Sequence, residues 1–287
     1  MRAIFEIPSF AADWPSRKSF LLEKLGDPKK ATRQNVLALG DSLSDTFRVV
    51  GSDDRSQGSL SSAGVVWESL VVWYLNLCLV GTEAVCLRGG KFAPDPVKYS
   101  LSIQHESTLL RTEPDVVVIS LKSLNTPRPD LPGIKLTEAI EGFCAKEFGD
   151  IGLVNLQCKT SWNDNAQIPM LWNMLYNQAR KGAVIPNGFT IGRNGYSLKG
   201  LGHFGYAFVT VPSQKLTKFK TTDLSVLRAK TMTAGNYWGY PTKSGVALSI
   251  SEFFNFFNRN SKVFPDAAAI GKGAAAMFTS EDLSIFG

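Results

Sequence analysis

Two apolar runs decide the fold: Pro114-Asp115-Val116-Val117-Val118-Ile119-Ser120, and Gly152 to Thr160, which reads GLVNLQCKT. The β-branched residues after Asp115 fit a pleated, buried surface, so the first run predicts a strand opened by Pro114-Asp115. The second predicts another strand, in which Gln157 and Lys159 are two residues apart and therefore share a face. Between the runs, prolines at 127, 129 and 132 mark a loop, and Thr137 to Phe148 has amphipathic helical spacing.

Working outward, Glu83 to Arg88 (EAVCLR) reads as a strand ended by Gly89 and Gly90. Before it, Val65 to Val80 is the most apolar stretch of the chain. Ser61 and Ser62 stand as its N-terminal caps, and Gly81 as its stop. This stretch carries Glu68 and Asn76 and is shorter than the roughly 20 residues that span a bilayer, so it predicts a buried helix. A short helix is expected around Arg17 to Leu25, and a Ser-, Gly- and Asp-rich loop from Gly51 to Gly64. On the far side, Asn165 to Lys181 places Ile168, Leu171, Trp172 and Leu175 at helical intervals, and Phe204 to Val211 is a further strand. The order helix, strand, strand, helical excursion, strand, helix, strand predicts an α/β fold with a mixed β-sheet flanked by helices.

Composition agrees with a folded chain. Of 287 residues, 44% are hydrophobic and 20% charged, which sets aside disordered, collagen-like and heptad-repeat classes. The excess of 31 Lys and Arg over 25 Asp and Glu gives a net charge of +6, compatible with a polyanionic partner. The four cysteines, Cys78, Cys86, Cys144 and Cys158, have no CxxC or zinc spacing and predict buried thiols in a reducing, cytoplasmic setting. The opening MRAIFEIPSF, with Glu6, does not read as a secretory signal. No GxxxxGK[ST] occurs, so no ATP requirement is expected.

Four polar residues stand where polarity is costly: Glu68 in the apolar helix, Asp115 at the start of one strand, and Gln157 and Lys159 on another. If the strands are neighbours, a carboxylate, an amide and an ammonium converge at one end of the sheet, with Glu68 as a second carboxylate. Hard oxygen donors with places left for water suit Mg²⁺.

Pro114-Asp115 followed by Gln157-Cys158-Lys159, with a glutamate on a preceding helix, resembles the PD-(D/E)XK nuclease superfamily over roughly residues 61 to 212. The resemblance implies a restriction-endonuclease-like core within one elaborated domain over residues 1 to 287. It also implies that Asp115, Gln157 and Glu68 hold Mg²⁺, while Lys159 activates or orients the attacking water. Gln157 replaces the usual Asp or Glu of the triplet, as in some members of the superfamily, and the missing charge makes Glu68 the second anion of an acidic centre. The implied activity is Mg²⁺-dependent hydrolysis of double-stranded DNA by a homodimeric type II restriction endonuclease. Alternatives are a repair, recombination or transposition nuclease, or a non-catalytic DNA-binding module whose site has decayed at Gln157.

Residues 213 to 287 are expected to serve DNA recognition and dimerisation. Lys218, Lys220, Arg228, Lys230 and Lys243 could neutralise phosphates there, and Asn236 or Arg228 could read base edges. Phe253, Phe254, Phe256 and Phe257 predict a core or interface helix. Leu37 to Asp45 (LALGDSLSD) also resembles the first block of GDSL esterases, with Ser42 as nucleophile. Such an enzyme needs a DxxH partner, and the residues three before His105 and His203 are Ser102 and Gly200.

Overall fold

The computed structural model describes residues 2–50, 57–89, 92–110, 114–121, 133–160, 164–185, 188–211, 222–224, 227, 231, 237–239, 250–258 and 263–287. Helices α1 (Arg2–Phe5), α2 (Pro8–Ala11), α3 (Trp14–Leu25), α4 (Arg33–Ala38), α5 (Leu43–Arg48) and α6 (Gln57–Cys78) precede strand β1 (Ala84–Arg88). Next come α7 (Asp95–Leu101), β2 (Ile103–His105), β3 (Thr108–Leu110), β4 (Val116–Ser120), α8 (Gly133–Lys146) and β5 (Gly152–Lys159). Helix α9 (Asp164–Lys181), β6 (Phe189–Ile191), β7 (His203–Thr210) and β8 (Tyr237–Gly239) follow, and the chain closes with helices Phe253–Asn258 and Lys272–Thr279.

The expected mixed sheet is present, in the order β1-β4-β5-β7-β8. Strands β1, β4 and β5 pair antiparallel, whereas β7 and β8 run parallel to β5. The antiparallel pairs Val116↔Leu156 and Arg88↔Val116 bring the end of β1, the start of β4 and the end of β5 to one end of the sheet. A smaller sheet, β3-β2-β6, lies outside this one.

Alternation along the strands separates two cores. One face of the large sheet (Ala84, Cys86, Val116, Val118, Val154, Leu156, Cys158) packs with α6, the N-terminal helices and the C-terminal segment. Val85, Val117, Ile119 and Leu153 pack on the other side with Ile140 and Cys144 of α8, Val97 of α7 and Tyr176 of α9. The two ends of the chain close over α6 together. Trp14 Nε1 donates to the Phe286 carbonyl at 2.6 Å, and Trp73 Nε1 to that of Ile285 at 3.0 Å. Arg33 donates to the Ile270 and Ala267 carbonyls at 2.9 and 2.8 Å. Phe253 and Phe254 are therefore part of the chain's own core.

Helix α6 is fixed to the sheet by a polar residue. Asn76, only 1% exposed, donates to the Cys86 carbonyl at 2.7 Å and accepts from the Cys86 N–H at 3.1 Å. Cys86 lies on the edge strand β1, so this amide satisfies outward-facing backbone groups that a sheet edge otherwise leaves to water.

The helix before β1 begins at Gln57, not at Ser61, so part of the expected loop from Gly51 to Gly64 is helical. Gly81 ends the turn beyond it at φ 76°, a conformation that favours glycine. Helix α8 starts at Gly133 and ends at Lys146, earlier than expected at both ends. Helices α4, α5 and α7 and the strands of the small sheet were not anticipated. The capping box of Thr32 and Asn35 and the Pro94-Asp95-Pro96 helix start are their local signals. All four cysteines are buried, and none is in a disulfide. Among the described residues no helix is long and apolar enough to cross a membrane.

Candidate active site

At the shared end of β4 and β5, one carboxylate oxygen gathers three donors. Asp115 Oδ2 accepts from Gln157 Nε2, from the Cys158 backbone N–H at 2.9 Å and from Lys159 Nζ at 3.0 Å. The antiparallel register explains the convergence: Val116 faces Leu156, so the residue before β4 falls beside the end of β5. Asp115, Gln157 and Lys159, expected to meet, are in direct contact.

Glu68 reaches the same end of the sheet from α6. Its Oε2 accepts from Arg88 at 3.1 Å, and the two side chains are 20% and 25% exposed. Burial pushes the Glu68 carboxyl above its ordinary range; the negative charge of Asp115 pushes it further, while Arg88 and Lys159 oppose the shift. Asp115 is likewise held above the usual range by burial, against the pull of Lys159, the Cys158 N–H and Arg88. Burial also lifts the Cys158 thiol well above its ordinary value, which makes it a poor nucleophile.

Arg88 is the residue that the sequence reading missed. It ends β1 opposite Val116, and its strand continues into Gly89, whose N–H donates to the Asp115 carbonyl at 2.8 Å. Its only advance signal is position: a charge at the end of an apolar strand, followed by two glycines. With Arg88 included, two anions face two cations, and the centre expected to be acidic is internally neutralised.

The donor set still fits a hard divalent cation in kind. Among the described residues, all donors to Asp115 go to Oδ2 and the donor to Glu68 goes to Oε2, which leaves Oδ1 and Oε1 for other partners. Gln157 turns its nitrogen to Asp115, and a half-turn of the amide would present its oxygen instead. Among the described residues no group of three His, Cys, Asp or Glu side chains is placed to hold a metal ion, and the candidate oxygens are those of Asp115, Glu68 and, after that half-turn, Gln157. Beneath it, Asn155 and Thr210 are buried, and neither Asn155 Oδ1 nor Thr210 Oγ1 has a partner among the described residues.

Lys218, Lys220, Arg228, Lys230, Asn236 and Lys243 lie outside the described residues, as do Pro129 and Asp130, which repeat the Pro-Asp pair of Pro114-Asp115 in the sequence. Within the basic stretch, Tyr237–Gly239 forms the fifth strand of the sheet. Ser42 of the GDSL-like block stands at the N-cap of α5, with no capping bond from its side chain. Compared with known protein families, with curated proteins and with solved structures, the chain has no match.

Proposed function

We propose that the chain is a Mg²⁺-dependent endonuclease of the PD-(D/E)XK kind that hydrolyses double-stranded DNA, acting as a homodimeric type II restriction endonuclease. The observation that carries this reading is the meeting of Gln157, Cys158 and Lys159 with a single oxygen of Asp115 across adjacent antiparallel strands. Helix α6, the antiparallel strands β1, β4 and β5, helix α9 and the parallel strand β7, with α7, the small sheet and α8 inserted among them, support it as the element order of that superfamily's core.

Phosphodiester hydrolysis needs a nucleophilic water and a counter-charge for the pentavalent phosphorus. Mg²⁺ held by Asp115, Gln157 and Glu68 would supply Lewis acidity and a more acidic water. Asp115 and Glu68 provide the anionic oxygens, and the backbone N–H of Cys158 fixes the Asp115 carboxylate from behind. Lys159, a quarter exposed, places its ammonium where it can meet the attacking oxygen and stabilise the charge that develops in the transition state.

Incubation of supercoiled plasmid with Mg²⁺, and in parallel with EDTA, tests the reading. Cleavage with Mg²⁺ alone supports it, and discrete bands support sequence specificity. Retention of the plasmid without cleavage under both conditions would leave a DNA-binding module in its place. The opposed ion pairs at the site are the feature that favours that second reading.

A further inference from the structure

Arg88 lies outside the motif, yet it binds one carboxylate of the site, and the residue after it binds the backbone of the other. Its guanidinium donates to Glu68, and the Gly89 N–H next to it binds the Asp115 carbonyl. Arg88 Nε is buried and has no partner among the described residues. A buried donor left without a partner is costly, and a largely desolvated ion pair gives back little of its own desolvation. The arrangement is therefore a poor way to stabilise the fold. It is a good way to keep a carboxylate neutralised and exchangeable, because guanidinium binds carboxylate and phosphate oxygens alike.

We infer that Arg88 gates Glu68: bound at Oε2, it neutralises the carboxylate until a phosphodiester oxygen takes the guanidinium, so that loading of the divalent cation is coupled to arrival of DNA. The inference rests on the nuclease reading and adds to it a positioning residue that acts through Glu68. Its consequence is reciprocal, since phosphate and cation must then strengthen each other's binding by the same factor.

Calorimetric titration with Mg²⁺ alone, on the full chain, tests this without any cleavage step. Arg88→Met, with its fold checked by circular dichroism, should bind Mg²⁺ about 10-fold more tightly than wild type, a coupling of ordinary size. Arg88→Gln provides the same reading if Arg88→Met does not fold. Arg88→Lys, which retains a cation, should remain close to wild type, and Glu68→Gln added to Arg88→Met should abolish the gain. Dimethyl phosphate, a minimal phosphodiester, should tighten Mg²⁺ binding to wild type and leave Arg88→Met unchanged. Equal or weaker Mg²⁺ binding by Arg88→Met, with binding still abolished by Asp115→Asn, overturns the gate and leaves the metal site standing. The absence of a dimethyl phosphate effect on wild type overturns the coupling. Failure of wild type and Arg88→Met alike to bind Mg²⁺ overturns both the gate and the reading beneath it.

Discussion

Replacement of Gly89 by alanine puts the hardest demand on the geometry of the site. A Cβ at this position would fall 1.5 Å from the Pro114 carbonyl oxygen and 2.5 Å from its carbon. Carbon–oxygen contacts settle at about 3.3 Å, so the end of β1 and the start of β4 would have to separate by about 1.8 Å. Both colliding partners are backbone, so no side chain can rotate away. The Gly89 N–H to Asp115 carbonyl bond, 2.8 Å long, would then be lost. A lost buried hydrogen bond costs about 1–3 kcal/mol and the forced packing a similar amount, about 4 kcal/mol in all. With a urea m-value of about 3 kcal/mol/M, the unfolding midpoint should fall by more than about 1 M. Gly142→Ala is the matched control: its Cβ meets nothing within 4 Å on an exposed face of α8, and the change should stabilise by about 1 kcal/mol. A Gly89→Ala midpoint within about 0.3 M of wild type would refute the close approach and, with it, the placement of Arg88 beside Asp115.

Two further predictions concern the frame around the site. Asn76→Leu keeps the number and branching of side-chain heavy atoms but removes both hydrogen bonds to Cys86, and should cost about 2–4 kcal/mol by urea unfolding; a loss below about 1 kcal/mol would contradict the clamp. Burial, followed by the nearby Arg180 charge, lowers His203 to about 4. The folded chain therefore binds fewer protons there than the unfolded chain, so stability present above about pH 6.5 should decline as pH falls toward 4. His203→Gln should flatten unfolding free energy across that window, and an unchanged slope would rule out His203 as its source.

The sheet was largely legible because its strands are dense in β-branched residues and bounded by turn residues. Val116 to Ser120 and Gly152 to Lys159 form strands where that pattern predicts them. The residues of the candidate site were legible as polar side chains in apolar runs, and their convergence follows once β4 and β5 pair. Arg88 was not, because its role depends on which strand lies beside β4, a tertiary fact that no local pattern carries. Asn76 was read only as an interruption of an apolar helix for the same reason: its partner is backbone on another element. The small sheet escaped because strands of three residues carry too little alternation to be told from a loop. The start of α6 was misplaced because Gly58, Ser59 and Ser61 are turn-forming residues that a helix anchored by the strongly apolar stretch behind them can still accommodate.

Cleavage of supercoiled plasmid by purified wild type, Asp115→Ala and Lys159→Ala, each with Mg²⁺ and each checked for folding and DNA binding, is the most direct test of the proposed chemistry. Cleavage by wild type, abolished in both variants while DNA binding is largely retained, is the expected result. Undiminished cleavage by either variant, or no cleavage by folded wild type on plasmids of varied sequence, would contradict it.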